Sequence, residues 1–144
     1  DTPFFEVPSS PHPVAVLFMH RWNFDATQTC DDGGVLEYSE DNGRTWKAVP
    51  RVQLILNAYN GTISEGVYNP LARRQAWCGN SEWARTVIDM GPFAGKTVTF
   101  RFRLGTGNAG ASEGWYVDDF KLQTCVDKPE ASYEVYLPLI FSTP

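Results

Sequence analysis

Five aspartates in or beside predicted loops are the residues of this chain best suited to holding a metal ion. They are Asp25, Asp31, Asp32, Asp118 and Asp119. Calcium takes about six to eight oxygen ligands from carboxylates, carbonyls and water, and irregular loops bring such groups together. In the competing interpretation, Asp31 and Asp32 are ordinary turn residues and Asp118 accepts hydrogen bonds from loop amides. The sequence therefore predicts calcium as a cofactor, with Asp25, Asp32, Asp118 and Asp119 as candidate ligands.

The alternation of side chains along the predicted strand over residues 115–122 indicates on which face of the strand Asp118 lies. If Tyr116, Phe120 and Leu122 face the core, a period of two places Asp118 on the same inward face. A buried carboxylate requires a cation or several hydrogen-bond donors. This pattern favours Asp118 as a metal ligand.

A second set of residues has the chemistry of a carbohydrate-binding surface. Flat aromatic rings can stack on sugar rings, and arginine donates several hydrogen bonds in a fixed plane. The candidates are Trp46, Trp77, Trp83, Arg101 and Arg103. In the competing interpretation, the tryptophans pack in the core or under loops, and the arginines pair with carboxylates such as Glu37 across a solvated sheet.

Motifs of catalysis are absent from the sequence. It contains no Gly-x-Ser-x-Gly nucleophile turn and no His-Glu-x-x-His zinc motif. The glycine-rich run over 105–110 precedes a predicted strand rather than a helix, so it is interpreted as a loop. Paired carboxylates such as Glu37 and Asp119 are the groups that hydrolyse glycosides, but no other feature supports that reaction. We predict that the chain is not an enzyme.

The charge balance argues against two classes of partner. The chain has 144 residues, with 12 Lys and Arg against 17 Asp and Glu, and a net charge of −5. Nucleic acids and anionic membrane surfaces select for clustered basic residues, so neither is a predicted partner. No apolar run approaches the roughly 18 residues of a membrane span. The length suits one domain with a substantial core.

The sequence predicts that short β-strands position these candidate residues. Strands are predicted over 14–24, 35–39, 45–49, 52–56, 85–90, 97–104 and 115–122. An Asn-Gly turn at 42–43 predicts a hairpin. In the strand over 97–104, alternation places Arg101 and Arg103 on one face and Phe100 and Phe102 on the other. Without a sustained helical period, the sequence predicts an all-β antiparallel sandwich. The aromatic-rich segment following residue 56 is expected to be a long ordered excursion packed on the sandwich.

The composition changes after Cys125. We predict a sandwich domain over residues 1–125, followed over 126–144 by a polar linker and an apolar tail. Residues 133–141 are β-prone, and one hypothesis is that they cover an open sheet edge in the same molecule or in a neighbour. The alternative is a disordered remnant.

Several motifs occur in an order typical of one family. They are 17–24, Asp32-Gly33-Gly34 with 35–39, Asp41-Asn42-Gly43 with Thr45-Trp46, Asn69-Pro70-Leu71, Trp77, Phe93-Ala94-Gly95-Lys96, Arg101-Phe102-Arg103, and Gly114-Trp115-Tyr116-Val117-Asp118-Asp119-Phe120. In this order they resemble the jelly-roll module found beside peptidases of the immune inhibitor A type and some secreted subtilases. The last motif is also similar to the end of MAM domains. The resemblance covers about residues 3–125.

The resemblance implies a jelly-roll, MAM-like or galactose-binding-like fold in an exported, non-catalytic accessory domain that often binds calcium. It also implies a disulfide between Cys30 and Cys78, because such modules can carry one cysteine before the Asp-Gly-Gly turn and one after the tryptophan of the long excursion. Cys125 is then the odd cysteine. From the residues alone, three cysteines allow at most one bridge within the chain.

The predicted function follows from both arguments. It is a calcium-stabilised accessory module of a secreted or cell-surface bacterial protein. Its expected partners are a polysaccharide or cell-surface glycan and the neighbouring catalytic domain of a larger chain. The alternative is a structural or adhesion module with a protein–protein interface and no sugar site.

Overall fold

The computed structural model describes residues 1–24, 30–66, 68–107 and 113–125. Within these ranges the chain is built from short and long β-strands joined by turns and two single-turn 3₁₀ segments. The strands are β1 (Phe5–Glu6), β2 (Val14–Asn23), β3 (Gly33–Ser39), β4 (Lys47–Ala48), β5 (Leu54–Leu56), β6 (Gly61–Thr62), β7 (Gln75–Cys78), β8 (Asn80–Asp89), β9 (Thr97–Gly105) and β10 (Gly114–Thr124). All the pairings between them are antiparallel.

Two sheets pack face to face, which confirms the predicted antiparallel sandwich. The front sheet has the order β1-β9-β3-β7-β6, and β4 pairs with β3 beside β7. The back sheet has the order β10-β2-β8-β5. The hairpin predicted at the Asn-Gly turn is present, with Glu37 opposite Ala48 and Tyr38 opposite Lys47.

Alternation along the strands builds the core between the sheets. On β2 the residues Val16, Phe18, His20 and Trp22 are buried, while the residues between them are only half-buried. On β9, Val98 and Phe100 are likewise buried. The aromatic rings are in close contact here, as in the edge-to-face pair of Phe18 and Phe102 with centroids 5.1 Å apart.

A buried polar network crosses this core around His20. The Trp115 indole N–H can only donate, so His20 Nδ1, 3.2 Å away, must accept. On the other side of the ring, Nε2 lies 2.9 Å from the Thr86 hydroxyl and 3.1 Å from the Asn57 amide nitrogen. Burial lowers the pKa of His20 to about 4. His20 is thus a buried structural residue of the core.

A bulge in β10 overturns the predicted orientation of Asp118. The register against β2 shifts between Asp118 and Lys121, and Asp119 adopts a left-handed φ of 53°. Trp115 and Val117 face the core before the bulge and Phe120 faces it afterwards, whereas Asp118 is exposed. The period-two extrapolation from Phe120 to Asp118 was wrong because the extra residue of the bulge interrupts it.

The predicted long excursion is ordered in its described part. Tyr59 packs in the core between the sheets, residues 61–62 form β6 at the edge of the front sheet, and a second apolar cluster is formed by Val35, Ile63, Leu71, Ala76 and Cys78. The Tyr59 hydroxyl donates to the Leu36 carbonyl and accepts from the Leu36 N–H, at 3.1 and 3.2 Å. Burial raises the pKa of Tyr59 to about 12.

The predicted disulfide between Cys30 and Cys78 is confirmed, with their Cα atoms 5.2 Å apart. It joins the loop before β3 to the end of β7. A Cβ on Gly61 would lie 2.8 Å from the Cys78 sulfur, so a glycine is required where β6 passes the bridge. Cys125 is free and exposed.

The predicted linker and tail over 126–144 lie outside the described residues. Within those that are described, no helix is long and apolar enough to cross a membrane.

Candidate functional site

The outer face of the front sheet carries a buried carboxylate surrounded by arginines. Glu37 Oε1 lies 2.5 Å from Arg74 Nη1, and Glu37 Oε2 lies 2.5 Å from Arg101 Nε. Arg103 Nη1 is farther away, at 3.6 Å from Oε1. The Glu37 side chain is only 4% exposed. These four side chains form one ionic cluster on the outside of the sandwich.

The strand register explains how three members of the cluster meet. Glu37 on β3 lies directly opposite Arg101 on β9, and Val35 lies opposite Arg103. Because side chains two residues apart share a face, Arg101 and Arg103 both project outward. This is the cross-strand ion pairing that the sequence offered as the competing interpretation. Arg74 comes from the end of the excursion, immediately before β7.

Trp46 covers the Arg101 guanidinium. Its indole ring centroid lies 4.3 Å from Arg101 Cζ, a distance typical of cation–π stacking. The tight turn between β3 and β4 sets this position: Asp41 accepts hydrogen bonds from the Thr45 hydroxyl and N–H at 2.6 and 2.8 Å. These bonds lower the pKa of Asp41 to about 2. The turn therefore holds Trp46 over β9.

The arginines decide the protonation state of Glu37. Burial on its own raises the pKa of the Glu37 carboxyl, but the hydrogen bonds and charges of Arg74 and Arg101 outweigh burial. Its pKa is consequently below the ordinary value, and Glu37 is ionised at neutral pH. The carboxylate thus stabilises the closely spaced guanidinium groups.

Replacing Glu37 by glutamine is expected to lower the free energy of unfolding at pH 7 by about 1–2 kcal/mol. Losing one partner of a buried ion pair costs more than this, about 3–5 kcal/mol. The arginine side chains are 27–42% exposed, however, and water screens their repulsion. Urea unfolding measures the change. Because Glu37 contributes stability above its unfolded pKa and loses it as the carboxyl protonates, the difference between wild type and Glu37→Gln should shrink below pH 4.

The matched control is Glu40→Gln, since Glu40 is also an ion-paired glutamate but lies in the turn after β3 and pairs with exposed Lys47 and Lys96. We expect Glu40→Gln to change stability by less than about 0.5 kcal/mol. Equal effects of the two variants would contradict the special role assigned to Glu37.

A groove adjoins the cluster beside Arg74. It has a volume of about 170 Å³ and is lined by Ala48, Val49, Pro50, Arg51, Tyr59, Arg74 and Gln75. Arg51 donates from Nε to the Tyr59 carbonyl at 3.2 Å. We call the combined region the arginine surface; it comprises Trp46, Arg51, Arg74, Arg101 and Arg103 around Glu37. It carries a net charge of +3 on a chain whose total charge is −5.

Three of the five predicted ligand-binding residues therefore lie together: Trp46, Arg101 and Arg103. For Trp77 the prediction of ligand binding is wrong, because Trp77 is fully buried between the sheets. Its indole packs against Phe18, His20 and Tyr59, and Nε1 donates to the Asn57 carbonyl at 3.0 Å. The core interpretation applies to this tryptophan.

Trp83 is exposed but lies on β8 of the back sheet, apart from the arginine surface. The same sheet carries a polar groove of about 140 Å³ that Arg21, Glu82 and Tyr116 help to line. Arg21 lies over the Tyr116 ring and is paired with Glu113 at 2.8 Å. The charge of this arginine is thus already balanced.

The predicted calcium ligands do not converge in the described part of the chain. Asp25 lies outside it, and Asp32 is buried with Oδ1 accepting the Gly107 N–H at 2.6 Å. Asp118 accepts the N–H of Asp119, and Asp119 lies 3.4 Å from the Lys121 ammonium. No group of three or more acidic, histidine or cysteine side chains suited to a metal occurs among residues 1–24, 30–66, 68–107 and 113–125. Calcium binding stays a prediction.

The structure also separates Glu37 from Asp119, the carboxylates considered for glycoside hydrolysis. Glu37 is on the front sheet and Asp119 on the back sheet. Arg51 and Arg74 are the functional candidates that sequence reasoning missed: only the path of the excursion brings Arg74 to Glu37 on β3, and only the groove beside Arg74 brings Arg51 near it. Comparison of the chain with protein-family models, curated proteins and solved structures found no match.

Proposed function

We propose that this chain is a non-catalytic accessory module of an exported bacterial protein and that it binds carbohydrate at the arginine surface. The observation that carries the proposal is the convergence of Trp46, Arg101 and Arg103 around Glu37, in a cluster that a groove adjoins at Arg74. An aromatic ring with planar hydrogen-bond donors next to it is the side-chain combination that recognises sugars. The disulfide supports export, because such bridges persist in oxidising compartments.

Trp46→Ala should weaken polysaccharide binding about tenfold in affinity electrophoresis through gels that contain a panel of polysaccharides. The loss corresponds to about 1.4 kcal/mol, which is typical of one aromatic contact. Trp83→Ala is the matched control, since this tryptophan is also accessible but lies on the opposite sheet. Thermal unfolding of both variants checks that they are folded. Retention of full binding by Trp46→Ala, or a loss in Trp83→Ala alone, would exclude the arginine surface as the sugar site.

A second candidate function is supported by exposed apolar side chains around β5. Val52, Ile55 and Leu56 are 85%, 63% and 50% exposed, at the edge of the back sheet. Clustered apolar exposure of this kind is typical of protein–protein contacts. A structural or adhesion module would use this edge and would show no retardation by any polysaccharide in the same panel.

A further inference from the structure

The arginine surface has more positive charge than its own carboxylate can neutralise. Both oxygens of Glu37 already accept from Arg74 and Arg101. Within the described ranges the Arg103 side chain forms no hydrogen bond; its Nη1 lies 3.6 Å from Glu37 Oε1, and the side chain is 42% exposed. Its guanidinium therefore has its planar set of donors available to an incoming acceptor.

The Arg101 guanidinium is preorganised for ligand binding. Its Nε is used by Glu37, and one face of its guanidinium is stacked on Trp46, so the plane of the group is fixed. The two Nη groups remain at the edge of this plane. An arginine that is already ordered loses less conformational entropy when it binds an anion.

The spacing of Arg101 and Arg103 suits one acidic group between them. Both are on the outward face of β9, two residues apart, which separates their Cα atoms by about 7 Å. Guanidinium groups bind carboxylates and sulfates through paired, charge-assisted hydrogen bonds. Arg51 and Arg74 extend the positive charge along the adjoining groove, so a chain with repeated acidic groups would meet further guanidinium groups there.

The rest of the molecule limits which polyanions can bind. Outside the arginine surface the chain has a net charge of −8, because the total is −5 and the surface contributes +3. Long-range attraction to a densely charged polymer such as DNA is therefore weak, and a polymer with one charge per sugar is favoured. The back-sheet groove is a poor alternative because Glu113 neutralises Arg21.

We infer that the ligand of the arginine surface is an acidic polysaccharide, whose carboxylate or sulfate groups bind between Arg101 and Arg103. This inference rests on the proposed function and specifies its substrate class.

The test compares polymers that differ only in charge. Polygalacturonate is paired with its methyl ester, and dextran sulfate of about one sulfate per sugar with dextran; binding is measured by affinity electrophoresis and by calorimetry at low and high salt. We expect the acidic member of at least one pair to bind tenfold or more tightly than its neutral partner, with affinity falling as salt rises. The pair that shows the preference identifies a carboxylate or a sulfate ligand.

The variant Arg103→Gln should lose about tenfold in affinity for the acidic polymer. Arg85→Gln is the charge-matched control, because Arg85 is an exposed arginine on β8 of the back sheet. Equal losses in both variants would overturn the inference, since they would show attraction to net charge only. Arg101→Lys keeps the charge but removes the planar stacked group, so full binding by this variant would also contradict the inference.

Three outcomes separate the inference from the proposed function. Binding of neutral polymers with no preference for the acidic ones overturns the acidic ligand and leaves carbohydrate binding intact. No binding to any polysaccharide overturns both. Binding of a DNA duplex as tight as that of the acidic polysaccharides overturns the inference in favour of a general polyanion site.

Discussion

The double variant Cys30→Ala/Cys78→Ala is expected to lose about 4 kcal/mol of its free energy of unfolding. The bridge joins residues 48 positions apart. In the chain-entropy model a cross-link that closes a loop of this length stabilises the folded state by about that amount, because it restricts the unfolded chain. For a single domain this is a large fraction of the total stability. Urea unfolding at pH 7 without reductant measures the loss.

Cys125→Ala is the matched control, since Cys125 is the exposed cysteine outside the bridge. We expect its unfolding midpoint to equal that of the wild type. A thiol titration in denaturant should find one free thiol in the wild type and none in Cys125→Ala. A double variant as stable as the wild type would show that the bridge contributes nothing to folding, and two or three reactive wild-type thiols in denaturant would show that it is not formed.

The second large effect is a loss of stability with falling pH through His20. The folded pKa of His20 is about 4, against 6.5 for a free histidine. Between these values the unfolded chain takes up a proton that the folded core excludes, so the free energy of unfolding decreases as pH falls from 6.5 to 4. At about 1.4 kcal/mol for each pKa unit, the loss approaches 3 kcal/mol. Above pH 6.5 this contribution is fully present.

Unfolding curves at a series of pH values between 7 and 4 test this expectation. His20→Gln keeps a side chain that can accept from Trp115 and should flatten the slope above pH 4.5, even if the variant is less stable overall. His12→Gln is the control, because His12 is exposed near the first strand. A wild-type slope that persists unchanged in His20→Gln would assign the pH dependence to other groups.

The regular strands could be predicted from the sequence because their side chains alternate between the two faces with a period of two. The alternation of β9 correctly placed Arg101 and Arg103 on the outer face, and the Asn-Gly turn correctly gave the hairpin that carries Trp46. These are local patterns, in which near neighbours in the sequence decide the orientation. Two of the arginines of the candidate site were found in this way.

The errors have two physical causes. The bulge at Asp119 inserts one residue into β10, and no feature of the amino-acid composition there distinguishes a bulge from a regular strand. Trp77 is in the core because β7 pairs with β3 through Gly33 and Gly34, which is a contact across more than 40 positions of sequence. The position of Arg74 depends on the same long-range pairing, so local patterns could not place it beside Glu37.

The pairing of β2 with β10 also determines how the sandwich responds to tension. Val14 lies directly opposite Thr124, and the Cys125 N–H donates to the Pro13 carbonyl at 2.7 Å. The points where the chain enters β2 and leaves β10 are therefore adjacent at one end of the same antiparallel pair. A force pulling residues 13 and 125 apart loads the interstrand hydrogen bonds one after another, from this end, instead of all together in shear. The sandwich should consequently unfold at low force when it is pulled in this direction, by successive separation of the strand pair. The segment between Cys30 and Cys78 cannot extend, because the disulfide joins its two ends.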